Sequence, residues 1–545
     1  MLNNFAIYFA GDAYSTDKKI MGRQSAGKSF LKGCARTWPN QEIVGLGPNA
    51  NSEAAMLHQM QMDGFNGQLN WNQLPNTDLV KKVGAIYYPS PAPKDLAHLR
   101  NLTDATSFSL MGVTFTLSSS SATDQIADLI LPPFKPWDAL ICISECAKAF
   151  TQNLHEEMKD WWSSQVGAIN FNTPQLPVIF LGVDAPFFAP NQNNKNESRK
   201  SLDIDNADCV FLFSGRLSFH AKANPAPMYQ ALEKAAKSKR IICIEAGIFP
   251  NDAIKQGYLA AQKILAPNVQ FLWIDGQDSN KYQLAWKAAD VFISLADNVQ
   301  ETFGLTPVEA MAAGMPVIVA DWNGYKETVR DGIDGYRIPT VLPPAGVGGD
   351  LAIRHALEID SFDYYIGRIS LATVVEPTLL EKAIMRLVSE PQLRETMGAN
   401  GLKRVQQSFD WPVILEQYSQ LASELEKIRK SSKTTTKISW PQRADPFQRF
   451  QSFPTTTLTG DFIINLNADA KAKLRDLFSL SMSNYGFKEG LLPREGIVKL
   501  VEVLEKKGAL NVNTLLSLTG NATPIGVRCL MWLWKFDIVT AQNLR

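Results

Sequence analysis

Excess charge of either sign, cysteine, histidine and long apolar runs are all scarce in this chain of 545 residues. Lysine and arginine number 54, as do aspartate and glutamate, so the formal net charge is zero. No global field draws the protein to nucleic acid or to an anionic membrane, and any anion site must be local. Six cysteines, at 34, 142, 146, 209, 243 and 529, are scattered too widely for a disulfide framework. Cys142 and Cys146 lie four apart with no second pair nearby, so they read as core residues rather than metal ligands. No run of 18 apolar residues occurs, and the N-terminus has neither a basic start nor a long apolar core. The expectation is a soluble, reduced, cytoplasmic protein. His58, His98 and His155 stand in no motif, and isolated histidines of this kind are usually structural. With 45% hydrophobic and 20% charged residues the composition is ordinary, so length sets the domain count, three or so at ~100–200 residues each.

Against these absences one stretch carries dense information: Asn298–Ala320, NVQETFGLTPVEAMAAGMPVIVA. Thr306 is a good N-cap, Pro307 suits the first helical position, and Glu309 falls where a capping box places its carboxylate. Gly314 can end the helix and Pro316 forbids continuation. Val317 to Ala320 is then a continuous apolar run, as in a parallel strand covered on both faces. A helix N-terminus with free N–H groups, preceded by the carboxylate of Glu301, can hold a phosphate and a polyol together.

Seven residues separate Glu301 from Glu309, a spacing that means little alone. Set within ETFGLTPVEAMAAGMPVI it resembles the retaining glycosyltransferases of family 4, which have the GT-B fold. The resemblance implies that Glu301 lies beside the transferred sugar and Glu309 binds the ribose hydroxyls of the nucleotide. It also implies that Phe303, Gly304, Leu305 and Thr306 line the donor. Without the flanks, Glu301 is a solvated loop acid and Glu309 a capping residue.

In the first half, Phe5–Ala10 reads as a buried strand ending at Gly11, followed by MGRQSAGKSFLKGC. Gly22-x4-Gly27-Lys28-Ser29 formally fits a P-loop, but ten residues separate Gly11 from Gly22, and no acidic strand for magnesium stands out. In GT-B enzymes a glycine-rich loop after the first strand faces the cleft, which makes Gly22 a donor-site candidate. Arg23 and Lys28 can meet an anion there or simply begin a basic helix. Strands are expected at Ile43–Gly47, Val83–Tyr88, Met111–Ser118 and Ala139–Ser144, with helices between, the rhythm of a doubly wound sheet. Where many family members carry a histidine near the reacting sugar, this chain has Phe115, which can neither transfer a proton nor bond a sugar hydroxyl in that manner.

A strand in LPVIFLGVDAPFFAP (176–190) resembles the family's entry to its second domain, and NQNNKNESRKS (191–201) suits an exposed linker. Asp203-Ile204-Asp205 lies before a strand, which argues against a metal-binding DxD. Cys209–Ser214 is a strand followed by Gly215-Arg216, with Lys222 six residues beyond. Ligands bind at that edge of open α/β sheets. The family's GR…K element holds the donor diphosphate, usually with one residue fewer between the two cations; by resemblance Arg216 and Lys222 take that role, beside Gly215. Two cations and a helix N-terminus can stabilise a leaving diphosphate without a metal. Further runs, AADVFISLADNVQETFG and NGYKETVRDGIDGYRIP, also match the family, with turns at Asp331-Gly332 and Asp334-Gly335. Between them and the closing helix pattern stands a long irregular insertion at 340–373, whose tyrosines pack or line an acceptor surface.

Residues 466–545 read as helical with winged-helix-like rhythm, apolar side chains recurring at Ile497, Leu500, Val501 and Leu504. IGVRCLMWLWKF has only Arg528 and Lys535 as cations, so packing, dimerisation or acceptor docking suits it better than DNA. The expected architecture is α/β, with two Rossmann-like doubly wound domains facing a cleft: 1–185 for the acceptor and 186–410 for the nucleotide sugar. A helix at 411–430 crosses back, 431–465 is a linker, and 466–545 is a small helical module. The expected function is retaining, metal-independent transfer of a hexose-type sugar from a nucleotide-diphosphate sugar to an unidentified acceptor (glycan, lipid, protein or metabolite). The donor is a co-substrate; no cofactor and no nucleic acid are called for. Alternatives are a sugar phosphorylase on the same fold, a nonenzymatic nucleotide-sugar-binding or regulatory scaffold, and a P-loop ATPase dependent on Lys28.

Overall fold

Short apolar runs become parallel strands wherever helices cover both faces, and this rule builds two sheets in the chain. The computed structural model describes residues 4–15, 22–190, 192–432 and 437–542, and the side chains of 192–194 are set aside. Residues 16–21 of the glycine-rich region, Asn191 and residues 433–436 of the expected linker lie outside the described residues. The chain divides into two units, Met1–Ser439 and Trp440–Arg545.

In the first unit, β1 (Ala6–Tyr8), β2 (Glu42–Gly47), β3 (Gln68–Gln73), β4 (Ala85–Tyr87), β5 (Ser109–Val113) and β6 (Ala139–Ile141) form a parallel sheet in the order β3-β2-β1-β4-β5-β6. A second parallel sheet follows: β7 (Cys209–Ser214), β8 (Ile241–Gly247), β9 (Gln270–Asp275), β10 (Val291–Ser294), β11 (Val317–Ala320) and β12 (Gly335–Ile338), ordered β12-β11-β10-β7-β8-β9. Every residue of β7 and β8 is buried. These are the two doubly wound sheets of the GT-B architecture. In each, the order reverses beside the first strand, between β1 and β4 and between β7 and β10, and such switch points open a crevice at the carboxyl ends of the strands.

Six helices of this unit matter below: α1 (Gly22–Thr37), α2 (Glu145–Val166), α3 (Leu305–Ala312), α4 (Gly349–Ala356), α5 (Phe362–Leu371) and α6 (Trp411–Ser431). Asp410 caps α6 by accepting from Trp411 N. Trp411 fills the space that Cβ atoms would take at Gly33 and Gly182, and its Nε1 donates to Ser29 Oγ at 2.8 Å. Tyr418 packs on Phe5 and Tyr87, and Arg429 donates to the Gly84 carbonyl, so α6 lies against the first sheet's helix α1 and strand ends. Gly27, Lys28 and Ser29 all stand inside α1, where a Cβ on Gly27 would overlap the Ala13 carbonyl. The second glycine of the P-loop pattern, Gly27, thus permits close helix packing, while Gly22 is exposed with open space around it. A phosphate cradle needs a loop with free N–H groups, and these residues are in a helix.

Three local expectations give way to tertiary structure. Gln192–Ser201, expected as an exposed linker, is a helix anchored by buried Arg199, which donates to Asp290 Oδ2 at 2.7 Å. The strand expected to end at Gly182-Val183-Asp184 is reduced to isolated bridges, of Val178 with Cys142 and of Val183 with Asp410. The insertion at 340–373 is organised: β13 (Thr340–Val341) pairs antiparallel with β14 (Val374–Val375), and α4 and α5 fold between them. In the second unit, β15 (Ile463–Leu466) is the middle strand of an antiparallel sheet with β16 (Leu510–Asn511) and β17 (Val539–Gln542). Helices α7 (Arg494–Lys507), α8 (Val512–Thr519) and α9 (Pro524–Lys535) bury Leu500, Leu515, Leu530 and Leu533 against it. No helix among the described residues is long and apolar enough to cross a membrane.

Candidate active site

The second switch point collects most of the candidate residues. Strand β7 ends at Ser214, and the chain turns through Gly215 at φ +146° into Arg216. Strand β10 ends at Ser294 and releases the loop that leads to α3. Fully buried Asn298 fastens that loop: its Oδ1 accepts from Gln300 N at 2.9 Å, its Nδ2 donates to the His220 carbonyl at 2.5 Å, and its own carbonyl accepts from Trp322 Nε1 at 3.1 Å. Because His220 belongs to the Arg216–Lys222 segment, Asn298 ties the two cations' loop to the carboxylates' loop.

Within this frame Lys222 Nζ forms an ion pair with Glu301 Oε2. Arg216 Nη2 donates to Gln300 Oε1 at 2.7 Å and to the Ala221 carbonyl at 3.1 Å. Tyr325, buried completely, links Ser294 Oγ at 3.0 Å and donates to Glu301 Oε2 at 3.4 Å. Burial pushes the Glu301 carboxyl up, but the Lys222 ammonium, with the Phe303 N–H and the Tyr325 hydroxyl, more than offsets this and holds it below its ordinary value. Burial lowers the pKa of the Arg216 guanidinium, opposed by the carboxylates of Asp363 and Glu301.

Glu309 behaves differently. Helix α3 begins at Leu305 with Gly304 as its N-cap, in the left-handed region at φ +91°, so Thr306 sits in the first turn and no capping box forms. The Thr306 hydroxyl is buried without a partner. The Glu309 carboxylate, one turn further on, makes no hydrogen bond or ion pair among the described residues, although the backbone carbonyl accepts from Ala313 N. Burial pushes its carboxyl up to about 7, with Lys222 opposing. Two carboxylates eight positions apart therefore differ: one is an ion pair, the other is unpartnered and titrates near neutrality. Nearby, Ser214 Oγ and Tyr282 OH lie 2.7 Å apart, and Glu309 adds to the burial that raises the Tyr282 phenol to about 12.

The remaining candidates are placed as follows. The Phe303 side chain is buried against Phe180 and Phe409, which leaves its backbone to face the loop. Leu305 and Thr306 form the first turn of α3. Gly22 belongs to the first sheet's side, where it opens α1, exposed. Phe115 follows β5, half-buried and packed on the core. His155 is buried with Nε2 2.8 Å from the Ile126 carbonyl, and burial lowers its pKa, a structural arrangement. Asn298, Gln300 and Tyr325 were not singled out by sequence reasoning. The motif flanks that contain them were the available signal.

Residues 194–343, from the helix before β7 to the strand after β12, match the family model described as glycosyl transferases group 1. That span holds Gly215, Arg216, Lys222, Glu301 and Glu309. Among curated relatives, a D-inositol 3-phosphate glycosyltransferase of Mycolicibacterium gilvum (strain PYR-GCK) is 27% identical over 222 residues, 39% of this chain and 46% of that protein. A phosphatidyl-myo-inositol mannosyltransferase of Mycobacterium leprae (strain TN) is 29% identical over 174 residues, 31% of this chain and 36% of that protein. The chain thus spans less than half the length of these relatives. In structure, a glycosyltransferase from Rickettsia africae ESF-5 is similar with a TM-score of 0.51 at 14% identity, over 78% of this chain and 98% of that one, a likeness of fold alone.

Proposed function

We propose that this chain is a glycosyltransferase that moves a hexose-type sugar from a nucleotide-diphosphate sugar to an acceptor, with retention and without a metal. The observation that carries the reading is the convergence of Arg216, Lys222 and Glu301 at the β7/β10 switch point, in front of the α3 N-terminus. As the glycosidic bond breaks, negative charge grows on the departing diphosphate. Arg216, Lys222 and the first-turn N–H groups of α3 supply positive charge to meet it. Lys222 is held by Glu301 until a diphosphate competes for it, after which Glu301 faces the sugar. Glu309, unpartnered, is free to accept hydrogen bonds from ribose hydroxyls. The departing phosphate takes the acceptor's proton, since Phe115 stands where a histidine would otherwise serve. Six cysteines without a disulfide suit a reducing cytoplasm.

The test is a panel of UDP-, GDP- and ADP-sugars, scored by thermal shift and by slow donor hydrolysis, with Arg216→Ala and Glu309→Ala as controls. A donor at 100 times its Kd stabilises by about 2.7 kcal/mol. One donor that shifts the wild type but neither control supports the reading, and turnover separates a transferase from a scaffold that only binds. Absence of any donor response refutes it.

A further inference from the structure

The insertion at 340–373 carries an apolar surface that the donor site does not use. Thirty large apolar side chains are well exposed among the described residues, and nine of them fall from Val341 to Val374. Geometry groups them. Val341 and Val374 stand opposite each other in the β13–β14 pair, so they share one face of the hairpin. Ile353 and Leu357, 60% and 66% exposed, lie one turn apart on α4. Tyr364 and Leu371, two turns apart, line one flank of α5. Exposed apolar residues scattered singly are ordinary, whereas a concentration of this kind marks an interaction surface.

The inner side of the insertion is occupied. Helix α5 buries Ile366, Gly367 and Ser370, and a Cβ on Gly367 would press on His220 Cβ at 3.1 Å, in the loop that holds Arg216 and Lys222. His355 of α4 stacks on Tyr365 with ring centroids 4.6 Å apart at 9°, and its Nε2 lies 3.4 Å from Ser120 Oγ. Ile353 and Leu357 are each two residues from His355, about 200° around the helix, so they point away from these contacts. Helix α4 has eight residues and buries none of them. About 12–15 residues are needed for even marginal helicity in water, so a helix this short depends on packing of its apolar face. That face is the outward one.

Charge narrows what can cover it. Residues 340–375 hold four acids (Asp350, Glu358, Asp360 and Asp363), two arginines and no lysine. Both arginines, Arg354 and Arg368, are engaged by Asp360. A net-acidic face is repelled by an anionic lipid surface, which recruits clustered lysine and arginine instead. A second copy of the chain meets no such conflict at the apolar centre, because a twofold interface sets one patch against itself and apolar side chains match their own kind. The size fits as well. At on the order of 100 Å² each, nine side chains come near the roughly 800 Å² that one partner gives to a standard interface. We propose that the outer face of the insertion, centred on Ile353 and Leu357 of α4, is a homodimer interface. Dimerisation then braces α5 and, through Gly367, the His220 segment between Arg216 and Lys222.

The test is sedimentation velocity of the full-length chain across the micromolar range. Wild type should be a dimer. Ile353→Asp and Leu357→Asp each place a carboxylate at a position already exposed in the single chain, so the fold tolerates them, and each should weaken the dimer roughly 30-fold or more, the loss at an interface hot spot. Ile353→Leu should stay dimeric. Tyr485→Asp, at a residue 94% exposed in the second unit, is the matched control and should leave the dimer unchanged. Amide exchange in α4 should slow as protein concentration rises in wild type, and not in Ile353→Asp. A wild type that is monomeric throughout overturns the inference, as does a dimer equally strong in Ile353→Asp and Leu357→Asp, or one lost only in Tyr485→Asp. Phosphatidylglycerol vesicles that capture monomeric wild type but not Ile353→Asp assign the face to a membrane and overturn it too. None of these readouts uses a nucleotide sugar, so the transferase reading stands or falls separately.

Discussion

Replacing Gly304 by alanine tests the site's geometry at its tightest point. Two penalties meet there. The backbone sits at φ +91°, where an L side chain is strained by about 1–2 kcal/mol. An added Cβ would also overlap the ring of Tyr325, which is fully buried and cannot swing aside into solvent. Overpacking of this kind costs about 1–3 kcal/mol. The sum, about 2–5 kcal/mol, falls on the α3–β11 region, and any relief requires Tyr325 to leave Ser294 and Glu301. Gly332→Ala is the matched control, with φ +71° and nothing within 4 Å of the new Cβ, so it carries the backbone penalty without the clash. A chain of two units does not unfold in one step, so local amide exchange is the suitable assay. Exchange in Val317–Ala320 should accelerate between roughly 30-fold and several thousand-fold for Gly304→Ala, at about tenfold per 1.4 kcal/mol. Gly332→Ala should accelerate its own turn far less, and only Gly304→Ala should lose donor binding. Equal, small effects for the two glycines, with donor binding intact, would refute the account of how Tyr325 and Gly304 fix Glu301.

Other predictions follow from the buried ionisable groups. With the Glu309 carboxyl raised to about 7, donor affinity should climb as pH rises through neutrality, and Glu309→Gln should flatten the profile; parallel profiles in binding titrations would exclude Glu309 from the donor contact. Glu245, 1% exposed, accepts from Tyr229 OH and from Gln262 Nε2 at 2.8 Å, and burial raises it to about 7. Because its folded pKa lies above its unfolded value, its stabilisation is complete below about pH 4.5 and is lost as pH rises through about 7. Glu245→Gln should therefore give a shallower fall in melting temperature across that window, with Asp297 (also raised to about 7) and Glu309 supplying what slope remains. In the first sheet, fully buried Arg100 donates to both oxygens of Asp138, which also accepts from the backbone of Leu110 and Lys135. Arg100→Met leaves that carboxylate without its counter-ion and should cost about 3–5 kcal/mol by denaturation while nucleotide-sugar affinity stays constant. A change in affinity without a change in stability would contradict it.

The two-sheet fold was legible because parallel strands buried on both faces are written locally. VIVA is a continuous apolar run, and CVFLFS and IICIEAG are apolar but for Ser214 and Glu245, so their partners need not be known to recognise them. The same holds for the helix–strand succession after Gly304 and for the cations beyond β7. Polar strands do not announce themselves: β3, QLNWNQ, takes its conformation from pairing with β2. Helix α3 starts two residues before the point that Thr306 as N-cap predicts, because Gly304 can take a left-handed conformation that makes it the cap.

By itself the sequence determined which segments alternate as strand and helix, and which short motifs hold carboxylates and cations at the carboxyl ends of the second sheet. Tertiary structure alone decided what those groups do. It paired Glu301 with Lys222 across 78 intervening positions and left Glu309 unpartnered. It buried the Phe303 ring and set Gly27, inside α1, against the Ala13 carbonyl. The physical reason is one of range. Propensity and burial periodicity act over a few residues, whereas charge pairing, desolvation and steric contact depend on distances in space that neighbours in sequence do not set.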